Sequence, residues 1–244
     1  MIYLTFSSIP ARINKIKNIL ESIGKQTIKP DKILMFLPYH YKRFNTGIEI
    51  PPFINDFDIT IIRTEDYGPI TKLIPILTLD ILWDDNDIIV SFDDDTEYPV
   101  DWLERLVVAA EEDKNTAFGY RGKAFSPTNL SYPPINPPNK GYVDIITGVW
   151  GFLHRRKFLS MEIFELLKIV PSAFFNDDVF LCGYYARNNI RRKLIQISDI
   201  NRHGTILAHV DALHLQENAD NKNNNNIINY FKEDFIKTLV YSDE

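Results

Sequence analysis

Residues 87–95 read Asp-Ile-Ile-Val-Ser-Phe-Asp-Asp-Asp, a short apolar run that passes without a break into three carboxylates. A run of this length and composition is the mark of a strand buried on both faces, which needs helices packed on either side of its sheet. The first half of the chain supplies them. Ile2 to Phe6, Lys32 to Leu37 and Ile59 to Ile62 read as further strands, rich in β-branched and apolar residues. Between the first two, Ile13, Ile16, Ile19, Leu20 and Ile23 recur at helical spacing. Ser7-Ser8 and Pro10 suit the start of that helix and Gly24 its end. Thr71 to Trp83 and Asp101 to Glu112 read as two more helices. Strands alternating with helices imply crossover connections, so the expected class is α/β, a mainly parallel twisted sheet flanked by helices.

The second half changes character. Lys123 to Gly141 holds Pro127, Pro133, Pro134, Pro137 and Pro138, which predicts a long irregular loop: a lid or binding segment, or equally a plain surface excursion. Strand-like pieces follow at Tyr142 to Ile146 and Gly151 to His154, helices at Phe158 to Val170 and Asp177 to Arg187, and a strand near Lys193 to Ile197. Asn223 to Asn226 reads as a solvent-facing polar linker. Beyond it, Ile228, Phe231, Phe235 and Leu239 make a helical stripe that should dock on the body. No internal repeat and no clear domain boundary interrupts the chain.

Composition narrows the function classes. Against 33 Asp and Glu stand 27 Lys and Arg, a formal charge of −6, whereas a general electrostatic nucleic-acid binder is usually basic. The single cysteine, Cys182, has no intrachain partner. No stretch approaches the roughly 18 apolar residues of a transmembrane helix. The chain opens on a strand without the basic region and apolar core of a signal peptide, so a cytoplasmic protein is expected. No HExxH pair, Cys cluster or Ser-His-Asp pattern supports zinc hydrolysis or triad chemistry. The Walker-type phosphate loop and the GxGxxG fingerprint are missing as well.

Asp93-Asp94-Asp95 therefore carries the most information. Three adjacent carboxylates repel one another unless a cation opposes them, and ligands of open α/β sheets bind beyond the carboxyl ends of the strands. Hard divalent cations take carboxylate oxygens, often one or two from the protein with the rest from substrate phosphates. The plainer alternative is an acidic turn in which Asp93 caps backbone amides. Asp177-Asp178, behind Asn176 at a helix start, is open to the same two readings, since acidic groups are favoured there by the helix dipole. One can cap while the other faces a cleft.

Four segments, taken in order, resemble the GT-A glycosyltransferases, in the manner of the inverting family-2-like enzymes found in large DNA viruses and bacteria. They are Thr5-Phe6-Ser7-Ser8-Ile9-Pro10-Ala11-Arg12, Asp66-Tyr67-Gly68-Pro69-Ile70-Thr71-Lys72-Leu73, the Asp93-Asp94-Asp95 run as a DXD motif, and Gly148-Val149-Trp150-Gly151 with Asn176-Asp177-Asp178. The set spans roughly residues 2–182.

The resemblance implies a GT-A, nucleotide-diphospho-sugar transferase (Rossmann-like) fold over residues 1–244. Its nucleotide-sugar half would be 1–120, its acceptor and catalytic half 121–217, with a C-terminal helix at 227–240. It implies a metal-dependent inverting hexosyl- or deoxyhexosyltransferase of glycan biosynthesis. The favoured donor is a UDP-sugar and the acceptor a glycan, a lipid-linked acceptor or a protein, without nucleic acid. Lipid-linked acceptors would bring peripheral membrane association, although no basic amphipathic helix announces it. The implied cofactor is Mn²⁺ or Mg²⁺, with Asp95 as main ligand, Asp93 at the ribose or the metal shell, Asp94 ambiguous, and His214 completing the shell. Asp178, or Asp177, is the expected base. Thr5, Ser7, Arg12, Asp66, Gly68 and Lys72 are expected at the nucleotide diphosphate, and Trp150 against a sugar ring, unless it packs in the core. Arg121-Gly122 and Arg155-Arg156 are further basic positions open to phosphate or acceptor. The rivals are a nucleotidyltransferase of similar fold, whose Gly-rich basic signature is missing between Ser7 and Arg12, and a non-catalytic sugar- or nucleotide-binding module.

Overall fold

Strands β1 (Ile2–Phe6), β2 (Lys32–Pro38), β3 (Thr60–Thr64) and β4 (Ile88–Ser91) form the parallel half of one sheet. They belong to a computed structural model that describes residues 1–126, 128–134, 140–196, 210–211, 213 and 216–240. β5 (Thr116–Lys123), β6 (Gly141–Tyr142), β7 (Ile145–Arg155) and β8 (Arg191–Leu194) complete it. The order is β3-β2-β1-β4-β7-β5-β8-β6, with β7 antiparallel to both β4 and β5. β5 thus runs in the same direction as β4, and the carboxyl ends of β1, β2, β4 and β5 meet at one edge of the sheet.

Alternation divides the strand side chains between two apolar cores. Tyr3, Leu34, Phe36, Ile89 and Phe152 face one core. There they meet α3 (Glu162–Ile169), α4 (Asp177–Arg187), α5 (Lys222–Tyr230) and α6 (Lys232–Lys237). Leu4, Phe6, Met35, Val90 and Phe92 face the other, against α1 (Lys17–Gly24) and α2 (Trp102–Glu112). Both faces are covered, which is why β4 is apolar along its length. The C-terminal stripe is buried: Ile228, Phe231 and Phe235 are at most 1% exposed, each contributing about 1.5–3 kcal/mol of burial energy.

Four local readings need correction. The expected helix over Thr71 to Trp83 is instead two 3₁₀ turns, Gly68–Lys72 and Ile74–Thr78. Pro75 has no N–H to give a continuous helix and disfavours the α conformation of the residue before it. β5 was not anticipated, since Gly119 and Gly122 interrupt its pattern. Of the two strand pieces around Gly148, Tyr142 belongs to β6, while Ile145 onward joins the second piece in one strand, β7, so Gly148-Val149-Trp150-Gly151 lies inside a strand. It is a bulge all the same: between two registered pairs β5 advances from Gly119 to Arg121 while β7 runs from Phe152 to Thr147. Finally, Asn223 to Asn226 lies inside α5, where buried Asn224 accepts a hydrogen bond from Asn176 (2.7 Å) and Asn225 accepts one from the Tyr132 amide (2.8 Å). Satisfied amides hold this polar run in a helix. Among the described residues no helix is long and apolar enough to cross a membrane.

Candidate active site

A cavity of about 160 Å³ opens at the carboxyl ends of β1 and β2, lined by Ser7, Arg12, Asp66, Gly68, Lys72, Asp93 and Asp94 among others. These residues come from three separate stretches of sequence, and the parallel half of the sheet brings them together. Phe92, fully buried and stacked on Phe6 at 4.8 Å, fixes where the acidic run leaves the strand. Tyr98 holds that run from below, accepting the Asp93 amide (3.0 Å) and donating to the Asp93 carbonyl (3.1 Å).

Lys72 is the hub. Its Nζ lies 2.7 Å from Asp93 Oδ1 and 2.9 Å from Asp177 Oδ2, with its side chain 10% exposed. Burial alone would lower its pKa, but the carboxylates of Asp177, Asp93 and Asp178 outweigh burial and hold the ammonium well above its ordinary range. Arg12 does the same for the other two carboxylates. Its Nη1 lies 2.9 Å from Asp94 Oδ1 and 3.2 Å from Asp95 Oδ2, and Ser8 Oγ donates to Asp94 Oδ2 (2.6 Å). Burial and the Asp93 and Asp94 carboxylates push Asp95 up to about 6, against the opposing pull of Arg12 and the Thr96 hydroxyl.

Asp177 and Asp178 open α4, and neither caps it. Asn176 is the cap, its Oδ1 accepting from the Val179 amide (3.0 Å). That leaves Asp177 free to pair with Lys72 and Asp178 without an ion-pair partner among the described residues. Asp178 receives the Gly148 amide, and burial with the neighbouring Asp177 charge pushes it up to about 8. A Cβ at Gly148 would sit 2.9 Å from Asp178 Oδ1 and 3.5 Å from Lys72 Nζ, so the carboxylate would have to give way to any side chain there. The β7 bulge thus delivers a backbone donor to the carboxylate at the start of α4.

The remaining expected residues separate into groups. Ser7 lines the cavity. Asp66 does too, but both its oxygens are engaged locally, Oδ1 with the Gly68 amide (2.9 Å) and Oδ2 with the Lys42 amide (2.7 Å), so it shapes the loop. Gly68 has φ +73°, and a Cβ there would come within 2.1 Å of the Phe174 carbonyl oxygen, a contact that only glycine permits. Thr5 is fully buried behind the cavity, its carbonyl accepting the Phe92 amide (3.0 Å). Trp150 is 5% exposed and packs in the core with Tyr98 and Trp102, whose Nε1 donates to the Trp150 carbonyl (2.6 Å). It is not among the cavity's lining residues. Arg155 is buried on carbonyls of Asn86 and Ala110, and Arg156 bonds the Leu159 carbonyl. His214 lies outside the described residues.

Sequence reasoning missed Tyr41, Arg43, Phe44 and Phe174, which also line the cavity. Arg43 reaches the Asp211 carbonyl (2.7 Å) and Glu217 (2.8 Å), and Tyr41 donates to the Ser8 carbonyl (2.7 Å). The signal was the aromatic and basic run Tyr39 to Phe44 just beyond β2, at a parallel strand's carboxyl end.

Among the described residues no group of three or more His, Cys, Asp or Glu side chains is arranged as a ligand set. The donor chemistry nonetheless fits a hard cation held by one or two carboxylates plus substrate oxygens, for Asp95 is crowded by like charge and only 13% exposed.

No protein-family model and no curated protein matches this sequence. Among solved structures the chain is similar to GalNAc-T7 with UDP, GalNAc and Mn²⁺, at a TM-score of 0.54 and 11% identity over 80% of this chain and 41% of that one. It is also similar to the mannosyltransferase PcManGT from Pyrobaculum calidifontis in complex with GDP-Man and Mn²⁺ (TM-score 0.49, 16% identity, 82% and 55% coverage). A third is S. aureus TarS 1-349 in complex with UDP (TM-score 0.45, 11% identity, 80% and 57% coverage). The chain thus spans about half the length of these structures. At these identities the likeness is one of fold, and the fold is that of the GT-A glycosyltransferases.

Proposed function

We propose that the chain is a metal-dependent, inverting glycosyltransferase that moves a hexose or deoxyhexose from a nucleoside-diphosphate sugar, in the first instance a UDP-sugar, to an acceptor hydroxyl. One observation carries the reading. Lys72, Asp93 and Asp177 come from three distant segments and meet on one buried ammonium, with Asp178 beside it, at the carboxyl edge of a GT-A sheet. The fold shared with GalNAc-T7, solved with UDP, GalNAc and Mn²⁺, supports the choice of donor and ion.

In this reading the ionised form of Asp178, which gains population as pH rises toward about 8, takes the acceptor hydroxyl's proton. The oxygen then bonds to the anomeric carbon, the bond from that carbon to the phosphate oxygen breaks, and the electron pair leaves on the diphosphate. A carboxylate whose pKa burial and Asp177 have raised is a stronger base than an ordinary one. Asp177, tied to Lys72, orients the pair and is the weaker candidate. Asp95, with Asp93, would hold Mn²⁺ or Mg²⁺, which supplies positive charge for the diphosphate leaving group. Ser7, Arg12 and the Gly68 loop line the nucleotide's side, and Tyr41 and Phe44 offer faces for its base.

The test is release of nucleoside diphosphate from a panel of UDP-, GDP- and CDP-sugars with and without EDTA, and with Asp95→Ala. Release that needs the ion and Asp95 supports the reading. Activity untouched by both removes the metal role, and pyrophosphate in place of nucleoside diphosphate moves the chain to the nucleotidyltransferases.

A further inference from the structure

Much of the packing around α4 is apolar: Phe180 and Gly183 lie against Phe231, at the junction of α5 and α6. One stripe of the helix is not. Asp178, Cys182 and Tyr185 follow one another at spacings of four and three residues, and each meets β7. Asp178 takes the Gly148 amide. One turn on, Cys182 Sγ accepts from the Ile146 amide (3.2 Å) and donates to the Ile146 carbonyl (3.8 Å). Further along, the Tyr185 hydroxyl is hydrogen-bonded to His154 Nδ1 (2.6 Å), and His154 Nε2 to Ser91 Oγ (3.2 Å), the last residue of β4. Cys182, Tyr185 and His154 are all 0% exposed.

The transfer step uses only Asp178 of these groups. Apolar burial is non-directional, so it does not by itself fix how far a helix has slid or turned on its sheet. A hydrogen bond inside a core is directional and costly to leave unmade. Contacts at residues 146, 148 and 154 of one strand therefore fix both the axial position and the rotation of α4. Cys182 is the anchor nearest the base. It lies one turn from Asp178, and the residue it holds, Ile146, lies two residues from the Gly148 amide. Burial pushes the Cys182 thiol up to about 12, so it keeps the proton that it offers to the Ile146 carbonyl.

We propose that Cys182 is a positioning residue for Asp178: by gripping the Ile146 backbone it sets where the base meets the Gly148 amide. This rests on the glycosyltransferase reading and adds to it a group that touches no substrate. The only cysteine in the chain then has a use that neither disulfide nor metal chemistry supplies.

Two variants of the full chain separate bonding from packing. Cys182→Ser keeps a donor and an acceptor, whereas Cys182→Val keeps an apolar side chain of similar size and has neither. Cys182→Ala repeats the loss of the bonds without added bulk. Amide hydrogen exchange by NMR reads Gly148, referred to Leu4 in the opposite core so that a change in global stability cancels. In the Val and Ala variants Gly148 should exchange about tenfold faster relative to Leu4, the effect of one hydrogen bond. With a donor that the wild-type chain turns over, kcat should fall about tenfold or more while the donor KM stays within about twofold. Cys182→Ser should return both readouts to within about threefold of wild type. A packing role predicts the reverse order, with Val nearer to wild type than Ser. Unchanged Gly148 protection in the Val and Ala variants, or a Ser variant no better than Val, overturns the proposal. Absence of transfer from every donor tells against the glycosyltransferase reading instead, and the exchange of Gly148 still decides whether Cys182 sets that contact.

Discussion

Replacing Lys72 by Met keeps the length of the side chain and removes the charge on which the site is assembled. The ammonium is 2.7 Å from Asp93 and 2.9 Å from Asp177, with the Lys72 and Asp177 side chains 10% and 9% exposed. Removing one partner of a buried ion pair costs roughly 3–5 kcal/mol, because the charge left behind has neither water nor counter-ion. For a chain of this size that is on the order of 10 °C in Tm. The pH dependence follows from the sign of the shifts. Lys72 is held well above its ordinary range, so its own contribution is constant below about pH 10. Without it Asp93, already raised by burial, loses the opposing pull of the ammonium and moves up further, so the folded variant keeps a proton that its unfolded chain has released above about pH 4. The deficit of Lys72→Met against wild type is therefore smallest near pH 4–5 and grows toward pH 8. Urea unfolding at pH 5 and pH 8 reads both quantities. A loss below about 1 kcal/mol at pH 8, or one that is the same at both pH values, would refute the hub role, since a surface pair behaves that way.

Three further outcomes are expected. Asp178 is pushed up to about 8 by burial and Asp177, so the folded state holds its proton across pH 4–8 while the unfolded chain does not, and stability declines as pH rises through that window; Asp178→Asn should flatten that decline in urea unfolding, and an unchanged slope counts against it. Gly68→Ala places a Cβ 2.1 Å from the Phe174 carbonyl oxygen at φ +73°; the 66–72 loop must shift, and nucleotide protection in a thermal-shift assay should fall with stability, whereas wild-type protection would show the contact to be idle. Asn176→Ala removes the α4 cap and the bond to Asn224, costing roughly 1–2 kcal/mol by chemical unfolding, and a neutral result would mean that water replaces both.

The parallel core was legible because β-strand burial writes itself as a short apolar run, and the acidic run stood out because carboxylates directly after such a run are placed at a ligand-binding edge. Asp177 to Arg187, expected as a helix with an acidic start, is α4, buried along nearly its whole length. What escaped the sequence depended on partners far along the chain. Trp150 lies in the core because its strand bulges between β4 and β5, which no local pattern records. The Asn run is helical because Asn176 and the Tyr132 amide satisfy it. Tyr41 and Arg43 line the cavity because β2 neighbours β1, a fact of sheet order. Pro75 is a local signal, but the apolar spacing around it has the period of a helix that the proline does not allow to run on.

The most direct test of the account is the product released when the wild-type chain and Asp178→Asn meet a UDP-, GDP- or CDP-sugar panel with Mn²⁺, followed by anomeric-proton NMR at early times. The account expects nucleoside diphosphate, a transferred sugar of inverted configuration, and a loss of about 10²-fold or more in kcat for Asp178→Asn with the donor still bound. Retained configuration, or a variant as fast as wild type, would contradict it.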